Sequence, residues 1–127
     1  MAGLVRVSRA KQLGNGGGGM ILSFKKKDGS PVLVRLKPIS SAKPITIGRE
    51  EGDIRLDDAK CSRIHSSIRY WDDIFVIRDM NSHNGTFVNG KKIDVAVLNP
   101  GDTIQVGEVV IDTLSEEGSR SDVTVII

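Results

Sequence analysis

Asn81-Ser82-His83-Asn84-Gly85-Thr86-Phe87-Val88-Asn89-Gly90 contains two Asn-Gly steps separated by Thr-Phe-Val. Asn and Gly tolerate positive φ, and an Asn-Gly pair between extended runs is a strong hairpin signal. The stretch therefore predicts a polar loop entering through Asn84-Gly85, a very short strand at Thr86–Val88, and a second turn at Asn89-Gly90. Such a loop is stiff at both ends and leaves its polar groups free to meet a ligand. Either Asn-Gly step alone would be an ordinary surface turn. Two upstream segments, Gly48-Arg49 and Ser62-Arg63-Ile64-His65, give the stretch its context.

Outward from this loop, the chain alternates short apolar runs with turns. Strands are predicted at Met20–Phe24, Val32–Leu36, Ile45–Ile47, Ile54–Leu56, Ile64–Tyr70, Ile74–Asp79, Thr86–Val88, Lys91–Ile93, Val95–Leu98, Thr103–Val106 and Val109–Leu114. Asp28-Gly29, Asp72-Asp73, Asn89-Gly90, Asn99-Pro100-Gly101-Asp102 and Gly107 punctuate them. No stretch carries apolar residues at i, i+3, i+4 and i+7 over the length of a helix. About eleven short strands with such turns predict an all-β, two-sheet β-sandwich, mostly antiparallel.

With 127 residues, 39% hydrophobic and 27% charged, the chain suits one folded domain. Residues 1–19 hold Arg6, Arg9 and Lys11 and end in Gly16–Gly19, which predicts a flexible basic leader. The domain is then placed at 20–115 and a tail at 116–127. The formal net charge of +2 leaves residues 20–127 at −1 once the three leader cations are set aside. A slightly acidic body argues against nucleic acid, which favours a broad basic face. No apolar run is long enough to span a membrane as a helix. The first 13 residues lack the apolar segment of a secretory signal. A single cysteine, Cys61, leans towards a reducing compartment, cytoplasmic or nuclear.

Several catalytic patterns fail on chemistry. Gly85 to Lys91 matches the Gly-x4-Gly-Lys part of a phosphate-binding P-loop. The next residue is Lys92 rather than Ser or Thr, and the segment reads as strand where a helix must open. Cys61 with His65 would need an activated thiolate and an orienting third group. A zinc site from Cys61, His65 and His83 lacks a fourth ligand at usable spacing. The expectation is a protein that is not an enzyme and holds neither metal nor cofactor.

Recognition of a phosphate ester needs a cationic fork, a hydroxyl donor and backbone N–H groups on short loops. Arg49, just past the strand end at Gly48, can point its guanidinium outward; pairing with Glu50 or Glu51 is the competing reading. Ser62 and Arg63 add a hydroxyl and a second cation on the loop before Ile64. His65, beside Ile64 and Ile68, reads as a buried hydrogen-bonding strut. Asn84 carries a side-chain amide that both donates and accepts.

Together the three segments resemble the forkhead-associated (FHA) domain family, whose pattern is Gly-Arg, then Ser-x-x-His, then Ser-x-Asn-Gly-Thr-x-x-Asn-Gly. Gly48-Arg49, Ser62 to His65 and Ser82 to Gly90 match it without departure. The resemblance implies a β-sandwich with its binding loops at one end, used to bind phosphopeptides with preference for phosphothreonine. It implies that Arg49 and Ser62 hold the phosphate with Arg63 assisting, and that Asn84 bonds the ligand main chain. His83 would line the phosphate side or the pocket wall, or be an exposed loop histidine. His65 would brace the loops, and Gly48, Gly85, Thr86, Asn89 and Gly90 would shape them. The partner is then a phosphothreonine-containing protein in signalling. The rival expectation is a phosphate-independent scaffold or oligomerisation domain using the same sandwich. Thr124, with Ile127 three residues on, is a candidate for self-association once phosphorylated; the competing reading of Val123–Ile127 is a strand or sticky end.

Overall fold

A computed structural model of the chain describes residues 18–40 and 43–116. The basic leader up to residue 17, most of the tail and Thr124 lie outside the described residues. Eleven strands follow in order: β1 Met20–Lys25, β2 Pro31–Leu36, β3 Ile45–Gly48, β4 Ile54–Arg55, β5 Ser66–Trp71, β6 Ile74–Asp79, β7 Thr86–Val88, β8 Lys91–Ile93, β9 Val95–Leu98, β10 Thr103–Val106 and β11 Val109–Ser115. They form two sheets, ordered β9-β6-β5-β3-β4 and β2-β1-β11-β10-β7-β8. Every pairing is antiparallel except β3 with β4. The all-β, two-sheet sandwich expected from the sequence is the observed architecture.

Period-two alternation builds the core. Met20, Leu22 and Phe24 of β1, Ile104 and Val106 of β10, and Ile111 of β11 point inward from the larger sheet. Ile47, Ile68, Phe75, Ile77 and Leu98 meet them from the smaller one. Outward positions mix polar residues with exposed apolar ones such as Leu33, Val97 and Val110 on the solvated faces.

Turn chemistry sets the register. Asn89 and Gly90 have φ of 52° and 83°, the two positive values that a two-residue type I′ hairpin demands between Val88 and Lys91. Asp72 and Asp73 do the same work between Trp71 and Ile74, at φ 53° and 68°. Here two aspartates occupy positions where glycine is usual, and Asp73 accepts a hydrogen bond from the Tyr70 hydroxyl at 3.4 Å.

Five strands differ from their predicted limits by a single residue at one end, and one differs by more. The segment expected at Ile64–Tyr70 begins its ladder only at Ser66. Residues before it are diverted: the Ser62 carbonyl accepts from Arg49 N at 2.9 Å, and the Arg63 carbonyl from Glu51 N at 3.3 Å. Those bonds tie the loop after β3 to the loop before β5 and bring the Gly-Arg and Ser-x-x-His segments together.

The packing makes a clear contrast measurable. Ile77 is fully buried and Val97 is 46% exposed on the opposite face. Ile77→Ala should cost about 2–5 kcal/mol of unfolding free energy, whereas Val97→Ala should stay within about 0.5 kcal/mol, both read from denaturant melts.

Candidate functional site

Three loops converge at one end of the sandwich: 49–53 after β3, 56–65 before β5, and 80–85 between β6 and β7. The first exists because β3 and β4 run parallel with only five residues between them. A parallel connection ordinarily needs a dozen residues or more, and here a tight return is closed by side chains. Asp53 Oδ2 accepts from Thr46 N at 3.0 Å, and Thr46 Oγ1 accepts from Asp53 N at 3.1 Å. Arg49 stands at the start of this return.

Gly48 is required by close approach. A Cβ there would lie 2.0 Å from the Arg63 carbonyl oxygen and 2.2 Å from that of Glu51. Both are backbone atoms, so nothing can yield without separating the loops. The glycine of the Gly-Arg pair thus allows two loops to cross its Cα.

His65 joins the second loop to the third. It is completely buried. Its Nδ1 accepts from Ser62 N at 3.0 Å, so the ring hydrogen sits on Nε2 and is donated to the Gly85 carbonyl at 2.8 Å. Its backbone N–H donates to Ile47 O at 2.7 Å, and its carbonyl accepts from Met80 N at 2.9 Å. His65 is thus a buried residue with both ring nitrogens and both backbone polar groups hydrogen-bonded.

Ser62 is fixed at every backbone group named so far, and its half-buried hydroxyl oxygen accepts from His83 N at 3.0 Å. The hydroxyl hydrogen remains available to an incoming acceptor. Asn84 is exposed, and its Nδ2 donates to the Lys60 carbonyl at 2.8 Å. That bond uses one of the two amide hydrogens and anchors the side chain, and the amide oxygen has no hydrogen-bond donor among the described residues. The His83 side chain is exposed; its backbone N–H is the part that the site uses.

The charges sort themselves in a way that the sequence left open. Glu50 and Glu51 pair with Arg63, Glu50 at 3.7 Å, and not with Arg49. Among the described residues Arg49 makes no ion pair. Arg63 is brought to the same rim with its charge already offset by two carboxylates.

Asp79 is the residue that the motif reading missed. Its Oδ1 accepts from Ser82 Oγ and, at 2.7 Å, from Thr86 Oγ1, and its Oδ2 accepts from Ser82 N at 3.1 Å. Ser82 Oγ in turn accepts from Gly85 N at 2.9 Å, and Thr86 Oγ1 meets Ser66 Oγ at 2.8 Å across the two sheets. The turn from β6 into the Asn84 loop is thus organised around one carboxylate. A serine three residues after an aspartate at a strand end is the local signal for such a turn. Burial raises the Asp79 pKa, but the hydrogen bonds from Ser82 and Thr86, aided by His65, outweigh it and leave it below the usual 3.8.

Cys61 and His65 do not form a nucleophilic pair. Cys61 is buried, and burial, with the nearby Asp58 carboxylate, pushes its thiol up to about 11. The thiol faces the Ser62 carbonyl at 3.4 Å, and both His65 nitrogens are already engaged. A thiolate nucleophile is the wrong reading of this pair. Among the described residues no group of three His, Cys, Asp or Glu could hold a metal ion.

The Asp79 carboxylate gives a pH signature. Its folded pKa lies below its unfolded value, so its stabilisation is complete above the unfolded pKa and is lost as pH falls through the folded one. Asp79→Asn should therefore be less stable than the parent near neutrality, with the difference shrinking at pH values below the ordinary 3.8. Urea midpoints measured across the acid range check this.

The chain is similar to known proteins over the region that carries these loops. The FHA domain family model matches residues 45–107, which spans all three loops. Mouse angiogenic factor with G patch and FHA domains 1 is 36% identical over 106 residues, covering 72% of this chain and 15% of the relative. This chain therefore spans only a small part of that protein's length. The Rv0020c FHA structure is 31% identical at a TM-score of 0.64, covering 81% of this chain and 98% of that one. An FHA domain solved for its phosphothreonine-dependent interactions is 28% identical at a TM-score of 0.62, covering 76% and 95%. Matching domain, matching fold and three motif segments gathered at one end together make the chain a member of the forkhead-associated domain family.

Proposed function

We propose that the domain, residues 20–115, is a phosphopeptide-binding module with preference for phosphothreonine, acting as a protein–protein interaction unit in signalling. The observation that carries this is Arg49: an exposed residue without an ion pair among the described residues, tied through its backbone N–H to the carbonyl of Ser62 at 2.9 Å, whose hydroxyl is held with its hydrogen free. A planar cationic fork next to a fixed donor suits a phosphate dianion. The structural relative with phosphothreonine-dependent interactions supports the choice of ligand.

In this reading Arg49 and Ser62 hold the phosphate and Arg63 adds long-range attraction, discounted by Glu50 and Glu51. The Asn84 amide oxygen accepts from a ligand backbone N–H, and His83 flanks the phosphate side. Each charge-assisted hydrogen bond contributes about 1.5–3 kcal/mol. Enclosing the threonine methyl adds about 0.8 kcal/mol, a severalfold preference over phosphoserine. The module works as a recognition unit rather than an enzyme. A ligand made by a kinase supports a cytoplasmic or nuclear setting for the module.

A second reading has its own observation. Trp71, Ile74, Val95 and Val97 are 39–63% exposed, and they lie on one outer face of β5, β6 and β9. Such a patch supports phosphate-independent contact with a protein or with another copy. Titrating a phosphothreonine peptide against its unphosphorylated twin separates the readings, because only the first predicts a difference.

Arg49→Ala should leave the melting temperature unchanged, since it orphans no partner among the described residues. It should weaken phosphopeptide binding by about 10–150-fold, the loss of a charge-assisted bond. Ser62→Ala should cost less, because a neutral donor is lost. Calorimetry is the check, and an Arg49→Ala affinity within about twofold of the parent, under about 0.5 kcal/mol, would overturn the assignment.

A further inference from the structure

The outer face of the smaller sheet carries apolar side chains in adjoining rows. Val97 lies opposite Val76, and Ile74 lies opposite Trp71 at the end of the β5–β6 hairpin. These positions alternate with the buried Phe75 and Ile77, so they share the solvent side. Trp71 is 63% exposed. The apolar surface also runs to the border of its sheet. Of the four sheet edges, β4 is two residues long, β8 opens with Lys91-Lys92, and β2 begins at Pro31 and carries Arg35. The fourth edge, β9, reads Val95-Ala96-Val97-Leu98 and has neither charge nor proline to guard it.

Charges bound this surface at its two ends. Along β6, Arg78 stands two residues from Val76 in one direction and Ile74 two residues in the other, a separation of about 13 Å. Asp72 and Asp73 form the turn just beyond Ile74. Among the described residues neither Arg78 nor Asp72 makes an ion pair, and Asp73 accepts from the Tyr70 hydroxyl at 3.4 Å. Two such faces can stack about a two-fold axis in two senses. An axis along the strands sets Arg78 against Arg78 and aspartates against aspartates. An axis crossing the strands at Val76 runs the two β6 strands antiparallel. It sets Arg78 of each copy against Asp72 and Asp73 of the other, with the valines and Ile74 between them.

We infer that this face is the interface of a homodimer, in which two copies stack smaller sheet on smaller sheet about a two-fold axis crossing β6 at Val76. One face carries both halves of the charge pattern, and that selects a second copy as its occupant. The inference deepens the contact reading of this patch given above and does not involve the phosphopeptide loops.

The test follows the full 127-residue chain by sedimentation velocity and by the emission of Trp71, its sole tryptophan. Concentrations run from about 1 μM to about 500 μM, the range suited to a small interface. A dimer should grow with concentration while the emission shifts to the blue, as the indole leaves water. Arg78→Glu, and Asp72→Lys combined with Asp73→Lys, each set like charges together at two symmetric places. Each should weaken dimerisation about tenfold or more. Mixed in equal amounts, the two variants should pair with one another within about threefold of the parent, because every contact is again between opposite charges. Should the lysines not be accommodated at the positive φ of this turn, Asn at both positions tolerates it and should weaken the dimer severalfold. A parent that stays monomeric at the highest concentration overturns the homodimer and leaves the patch to a different protein. A dimer indifferent to both charge reversals, as edge pairing through β9 would be, overturns this arrangement. A phosphothreonine peptide titrated into the same variants reads the loop site separately, and its failure to bind bears on that reading alone.

Discussion

The binding end of this sandwich depends on the His65 imidazole. It spans from the Ser62 N–H to the Gly85 carbonyl, groups on separate loops, one entering the smaller sheet and the other the larger. Neither loop has a ladder partner at that point, and a buried unpaired amide or carbonyl is costly. Imidazole answers both needs because it accepts at one nitrogen and donates at the other, across a width that no shorter side chain reaches. Ser62 and Asn84, twenty-two positions apart in the chain, consequently share one rim.

Carboxylates carry the remaining load. Asp53 closes the return after β3, and Asp79 organises the turn after β6. Asp58 accepts from Lys60 N at 2.8 Å and from Glu108 N at 3.2 Å, pinning the loop before β5 to the β10–β11 turn. Asp102 accepts from Asn99 N at 2.8 Å and from the Asn89 amide at 2.9 Å, stiffening the far hairpin. These acids are engaged by backbone, hydroxyl and amide donors. The net charge of the body is therefore a poor guide to this end of the sandwich, where Arg49 retains positive charge without an ion-pair partner among the described residues.

The loops are also stiff for a steric reason. The Gly48 Cα is crossed by two carbonyls at distances that admit no side chain. A rim built this way has little conformational freedom left to lose, which favours affinity from few contacts in the proposed function. The exposed pair of Arg63 with its glutamates adds little stability by itself. Its consequence is selective, because it leaves Arg49 as the cation at that rim without a carboxylate of its own.

Much of the fold was legible in the chain itself. Alternation of apolar residues located the strands, and Asn89-Gly90 and Asp72-Asp73 fixed two hairpins, because these signals act between residues close in sequence. The motif segments likewise named Arg49, Ser62, His65 and Asn84 as residues to watch. What they could not reveal was pairing at a distance. Whether Glu50 and Glu51 would take Arg49 or Arg63 depended on which way the return after β3 turned, and so did the donors that the Ser62 and Arg63 carbonyls found on that return. Asp79 became a hub only once β6 and β7 were in place. Local chemistry is written in neighbouring residues, whereas the partner of a long charged side chain is chosen by the packing that brings distant backbones within its reach.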